Sequence, residues 1–171
     1  MPTGYRFVTI RGMTENLEQF ALDFLASRVA YTQVLEFRNS GNRASIIAKR
    51  EGRFQAELVI WSPGLVLPAH RHPHINALES HVSGDMILVF GDTEEETNGF
   101  IERASVWPAR KLHGRFIPVR PQDWHGGKTG PTGAAFWSIQ EWSGDEPLTA
   151  AGVDWEGSAV LPVPALATLC V

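Results

Sequence analysis

Beyond Gly41 the chain is a succession of short apolar runs set at hairpin spacing, with no helical periodicity between them, and this limits the fold more than any other feature. Arg53 to Ser62 alternates, with Phe54, Ala56, Leu58 and Ile60 on one face and Gln55, Glu57 and Val59 on the other, before Ser62-Pro63-Gly64 turns the chain. That pattern predicts a half-buried strand. Leu65 to His72, Ile75 to Ser83, Met86 to Phe90, Gly114 to Arg120 and Ala134 to Trp142 continue the series. Turn signals separate them at Ser83-Gly84-Asp85, Gly91-Asp92, Pro121-Gln122-Asp123 and Gly126 to Gly133. The expected class is all-β with minor α, an antiparallel sandwich or barrel and not a parallel sheet. Met86 to Phe90 is apolar on both faces, so it is expected to be covered by a second sheet and by a helix or a partner subunit.

One helix is expected, over about 14–30, where Leu17, Phe20, Ala21, Phe24, Leu25 and Val29 recur at threes and fours and Thr14 can cap the start. The barrel core is placed at about 53–143, and the apolar, proline-containing tail 158–171 is expected to lie extended against the sheet or a neighbouring subunit. With 171 residues the chain suits a single domain, 1–171. The acidic run DTEEE, 92–96, reads as a solvated surface turn. A net charge of −4 offers no basic field for nucleic acid or anionic lipid, so neither partner is expected. Cys170 is the only cysteine, which excludes an intrachain disulfide, and the start carries no secretory signal pattern; a cytoplasmic protein is expected.

Four of the six histidines, His70, His72, His74 and His81, fall within twelve residues, with Glu79 among them, and His125 follows in PQDWHGG. Imidazole and carboxylate together suit a borderline ion such as iron, zinc, manganese or nickel. His70 and His72 are two apart, so on a strand both rings point to one face and can chelate one ion, with His125 as a third ligand from a neighbouring strand. Three facial ligands leave positions open, which suits a catalytic ion. Ala77, Glu79 and His81 share one face of the next strand, so Glu79 is either a fourth ligand or a pocket acid or base. A second frame, His72, His74 and Glu79, requires Pro73 within a strand. For His74, His81 and His113 a surface or hydrogen-bonded core position is an equal reading. Arg115 and Arg120 are the cations nearest the site in sequence and candidates to hold a substrate carboxylate or phosphate, and Trp137 is a candidate pocket wall, although core packing is the default for a tryptophan.

These residues resemble the cupin family. Its first motif runs glycine, five residues, His, one residue, His, three or four residues, Glu, six residues, glycine, and here Gly64, His70, His72 and Gly84 match while Ala77 stands where the glutamate belongs. Its second motif survives only as Gly114 and His125, with Arg120, Gln122 and Thr129 in the Pro, Gly and Asn places and a displaced Pro121. The resemblance covers about residues 54 to 142 and implies a double-stranded β-helix or jelly-roll barrel with the N-terminal helix outside. It implies one divalent transition metal held by His70, His72 and His125, with Glu79 as ligand or proton carrier, and a three-histidine site without carboxylate is the pattern of the thiol dioxygenase branch. The function expected is a mononuclear non-haem Fe(II) oxygenase acting on a small polar molecule, in a homodimer. A redox-neutral isomerase, epimerase or lyase and a non-catalytic ligand-binding cupin are the alternatives.

Overall fold

The structure, a computed structural model, describes residues 14–27, 36–39, 43–106, 116–144, 150–151, 154–158 and 165–166. In chain order its elements are α1 (Glu15–Ala26), β1 (Glu36–Asn39), β2 (Arg43–Glu51), β3 (Phe54–Trp61), β4 (Val66–His70), β5 (Ile75–Gly91), α2 (Glu94–Arg103), β6 (Phe116–Val119), β7 (Trp124–Trp142) and β8 (Ala165–Leu166). The strands pair antiparallel in the order β6-β5-β7-β3-β2-β1-β8, and β4 joins β7. The all-β class with an N-terminal helix is therefore as expected, and the sheet extends further toward the N-terminus than 53, through β2 and β1.

Two strands are long enough to serve both layers of the barrel. The stretch of β5 from Ile75 to Gly84 pairs with Ala134 to Trp142 of β7, and the stretch from Met86 to Gly91 pairs with Trp124 to Thr129. The first layer is extended by β3, β2 and β6, the second by β4. The expected turn at Ser83-Gly84-Asp85 is thus a bend inside one strand, marked by register shifts at His81/Ser83 and Gly84/Met86. Gly84 has φ +80, and a Cβ there would lie 2.7 Å from Ala134 Cα, so only glycine lets β5 cross β7 this closely. Gly126 to Gly133 likewise proves to lie within β7 and is not a connection, its first half, Gly126 to Thr129, pairing with β5 and in part with β4. At the opposite bend Pro63-Gly64 forms a turn with Gly64 at φ +69 and a Leu65 N–H donating to Ser62 O at 3.2 Å. Thr129 secures that turn, its hydroxyl donating to Ser62 O at 2.7 Å and accepting from Leu65 N at 2.9 Å.

Each layer carries a helix on its outer side. Thr14 caps α1 by accepting from Leu17 N at 3.2 Å, and the helix buries Leu17, Phe20, Ala21 and Phe24 against Ala48, Ala56, Leu78, Trp137 and Ile139. α1 stops at Ala26, short of the expected end; Val29 lies outside the described residues. Helix α2 corrects the reading of 92–96 as a surface turn. Thr93 caps it by accepting from Glu96 N, its first turn holds Glu94, Glu95 and Glu96 where the macrodipole favours negative charge, and it buries Thr97 and Ile101. Asn98 on α2 accepts from Ala69 N at 2.9 Å and so holds β4 in place. The cover expected over Met86 to Phe90 comes from α2 on the outside and from the barrel interior on the other face, toward which Met86 and Leu88 point.

Strand β3 is half-buried as expected, but its fully buried face is the polar one, while the apolar face is covered only in part, with Ile60 exposed. Ala56 packs under α1, while Gln55, Glu57 and Val59 face the barrel interior, the two polar residues fully enclosed. Of the apolar tail, Ala165 and Leu166 are extended and pair with Asn39 and Arg38, and Ser158 bonds to Glu94; the remainder, like His113, Gly114 and Arg115, lies outside the described residues. No helix among the described residues is long and apolar enough to cross a membrane. Replacing Gly84 by Ala is expected to destabilise the fold by at least about 2 kcal/mol, from the left-handed conformation and the β7 backbone it would strike; urea unfolding of the two proteins measures this.

Candidate metal centre

His70 ends β4, His72 follows two residues later, just past the bridge that Arg71 makes to Glu156, and His125, second in β7, stands directly opposite His70 in the register. All three are buried, and one nitrogen from each lies within 4.8 Å of the others. Their ring centroids are 4.9 Å (His70 to His72), 4.3 Å (His70 to His125) and 5.2 Å (His72 to His125) apart. Each Nδ1 meets a backbone carbonyl: Pro68 O at 2.8 Å for His70, Asp123 O at 2.9 Å for His125, and Asp154 O for His72. A carbonyl only accepts, so each Nδ1 carries the hydrogen and each Nε2 keeps its lone pair. This is the outer-shell arrangement that fixes the tautomer and orientation of metal-ligating histidines, and the three residues fit a transition ion through Nε2. Burial also holds them neutral. It pushes the pKa of His72 down to about 3 and that of His70 well below the usual value, helped in both cases by the other rings, and it lowers His125 despite the raising effect of Asp123.

A short strap from the C-terminal region completes the triad. Residues 154–158 run beside β4, where Arg71 and Glu156 exchange both backbone hydrogen bonds at 2.9 Å and a bidentate ion pair at 2.7 and 2.8 Å. The Trp155 ring stacks on His70 with centroids 3.7 Å apart and planes 7° from parallel. The Asp154 carboxylate accepts from the backbone N–H of His74 and pairs with its Nδ1 at 2.8 Å, and Ser158 donates to Glu94 of α2. The strap therefore supplies one carbonyl to His72 and one ring face to His70.

The triad faces a cavity of about 50 Å³, room for a few water molecules. Leu67, Leu88 and Phe136 line part of it; Arg43, Glu57, Glu79 and Ser138 bring its polar groups. Glu79 accepts from Ser138 Oγ at 2.8 Å through Oε1, while its Oε2 has no partner. Burial, with a smaller contribution from Glu57, raises the Glu79 pKa to about 8, so the carboxyl is protonated at neutral pH.

Of the residues singled out in the sequence, His70, His72 and His125 come together, and Glu79 lies in the same cavity but outside the group of mutually close ligand atoms. This corresponds to the three-histidine alternative. His74 is engaged by Asp154 and His81 by Gly84 O at 3.1 Å, so the frame through His74 is not assembled. Arg120 sits at the turn before β7, where its N–H donates to Asp123, and Trp137 meets Phe24 of α1 edge-on at 4.9 Å; neither lines the cavity. Sequence reasoning missed Arg43, Glu57 and Ser138, and the strap. For Glu57 the signal was present, since strand alternation puts it with Gln55 and Val59 on one face, but that face was assigned to solvent.

These features give two expected outcomes. Trp155→Ala should weaken metal affinity about tenfold without removing a ligand, as measured by competition with a chelator. In the metal-free protein the pKa shifts set a stability profile with the following signs. The histidines bind protons near pH 6.5 when unfolded but resist them when folded, so stability falls as pH drops below about 6.5 toward 3. Glu79 titrates near 4.5 unfolded and about 8 folded, so its contribution is full below 4.5 and is lost as pH rises to about 8. Three histidines outweigh one carboxyl, which puts the maximum at about pH 6.5. Thermal melts across pH should show that peak, and Glu79→Gln should flatten the fall above it; a melting temperature that keeps rising past pH 8 in the parent protein would contradict the burial of Glu79.

Comparison with protein-family models and with curated proteins finds no match. Among solved structures the chain is similar to CapF with the inhibitor 3-isopropenyl-tropolone, at 16% identity and TM-score 0.50 over 72% of this chain and 33% of that one. It is also similar to an RmlC-like cupin from Shewanella frigidimarina NCIMB 400 (16% identity, 70% of this chain and 94% of that one, TM-score 0.49) and to KdgF from Halomonas sp. (12% identity, 64% and 90%, TM-score 0.48). At 16% identity the likeness to CapF is one of fold alone. The two-layer antiparallel barrel, bent at Gly84 and carrying a helix on each outer side, has the architecture that the Gly64, His70, His72 and Gly84 spacing implied: by its fold this chain is a cupin-type double-stranded β-helix.

Proposed function

We propose that the chain is a metal-dependent enzyme, a mononuclear non-haem iron oxygenase acting on a small polar molecule. The observation that carries this reading is the convergence of His70, His72 and His125, each with Nδ1 bound to a carbonyl and Nε2 left free. Bound there, an Fe(II) ion would supply Lewis acidity and redox capacity toward dioxygen, with coordination positions left open by a three-histidine set. The protein's own contribution begins with exclusion of water: Leu67, Leu88, Val119 and Phe136 give the cavity apolar walls, which strengthens every polar interaction inside it. Glu79 holds a proton. Because its Oε1 already accepts from Ser138, that proton resides on Oε2, the oxygen without a partner, where a bound substrate can take it.

The protonated Glu79 beside the triad also favours a second reading, a redox-neutral isomerase, epimerase or lyase in which the same carboxyl moves a proton to and from the substrate carbon or oxygen. Metal analysis and an oxygen electrode separate the readings. The protein as isolated is expected to hold about one transition ion per chain, absent from His72→Ala, and the iron form should consume oxygen with its substrate. Turnover without oxygen uptake would select the redox-neutral reading. A chain that takes up no ion on reconstitution would remove both and leave a ligand-binding barrel.

A further inference from the structure

The cavity wall away from the histidines holds two enclosed carboxylates arranged symmetrically about one serine. In the strand register Ser138 of β7 stands opposite Glu57 of β3 on one side and opposite Glu79 of β5 on the other. The three side chains therefore form one row across the barrel interior. Three donors of the wall converge on two carboxyl oxygens. Ser138 Oγ donates to Glu79 Oε1 at 2.8 Å, and Gln140 Nε2 and the Ala151 N–H both donate to Glu57 Oε2 at 2.8 Å. Gln140 is itself held by Trp142 Nε1 at 2.9 Å and Gln55 Nε2 at 3.0 Å, so the row is braced from behind. Glu57 Oε1 and Glu79 Oε2 are left without a hydrogen-bond partner, although Glu57 is fully enclosed and Glu79 only 8% exposed. Enclosed polar atoms are nearly always satisfied, and two orphaned carboxyl oxygens on one cavity wall mark a place built for a guest.

From this row we infer that Glu57 and Glu79 are the recognition floor for the hydroxyl groups of a small polyhydroxy compound. A guest must donate to Glu57 Oε1 and be able to accept from or donate to a protonated Glu79 Oε2, and a hydroxyl is the group that does both. The charges point the same way. Arg43 lines the same cavity and interacts electrostatically with Glu57, so an amine cation would meet a like charge there. The inference deepens the proposed function by naming the substrate class, and it rests on that reading for the guest being a substrate.

Calorimetric titration tests it on the zinc-loaded and the metal-free protein, with erythritol and threonate as hydroxylated probes and 1-butanol and butyrate as controls. One or both hydroxylated probes should bind, erythritol if the class is polyols and threonate alone if it is hydroxy acids, and neither control should bind. Glu57→Gln and Glu79→Gln should each weaken that binding about ten- to a hundredfold while zinc content stays that of the parent. Failure of both probes, equal binding of the controls, or affinities unchanged in both variants would overturn the inference. Zinc content, read in the same samples, keeps the two readings apart: a parent protein that takes up no zinc yet loses erythritol affinity on Glu57→Gln refutes the metal enzyme and supports the floor. Carbon-13 carboxyl shifts give a check on the unsubstituted protein should a variant not fold, since the probe should move the resonances of the buried glutamates; shifts that stay fixed at saturating probe would count against the floor.

Discussion

Strand β7 is paired on both sides along most of its length, and its register with β3, β4 and β5 is the constraint on which the site depends. One strand sets His125 opposite His70 at one end and Ser138 between Glu57 and Glu79 at the other. Because side chains alternate with a period of two, a slip of one residue in any of these pairings would turn the affected row out of the barrel. The bend near Gly84 and Gly133 lets the same strand contribute to both layers, so that histidines from one layer face carboxylates from the other across a narrow interior.

That interior is polar to a degree that ordinary packing does not explain. Gln55, Glu57, Glu79, Ser138 and Gln140 are all enclosed, and their hydrogen bonds run through one connected network. Such a network costs stability relative to an apolar core unless each member is satisfied, and here satisfaction stops at the two oxygens that line the cavity. Apolar burial accompanies the network on both sides: Leu17, Phe20 and Phe24 of α1 press against the outer face of β3 and β7, and Val59, Trp61, Leu67, Met86 and Phe136 pack together beside the cavity.

Much of the site was legible from residue spacing. The two-residue separation of His70 and His72 sufficed for a shared face, and the parity of Ala77, Glu79 and His81 put Glu79 on one wall, though not at ligating distance. Glu57 escaped because one apolar face and one polar face read as core and solvent, whereas β3 has α1 behind it and a closed barrel in front. The second helix was hidden by its charge: Thr93 and Glu96 carry a capping pattern, but the acidic run that follows reads as a loop until Thr97 and Ile101 are seen buried on one side. Asp154 and Trp155 had no signal at all, since nothing periodic links them to histidines more than 80 residues earlier.

That last separation has a consequence for how the protein is made. The carbonyl that fixes the His72 ring belongs to a residue 82 positions further along the chain, and the ring that stacks on His70 is its neighbour. Synthesis runs from the N-terminus, so α1, β2 to β7 and all three histidines are made before the strap. Until residues 154 to 156 emerge and dock against Arg71, His72 lacks the bond that settles which nitrogen carries its proton. Maturation of the triad therefore waits for residues 154 to 156, and a product cut before them would carry the histidines without the finished centre.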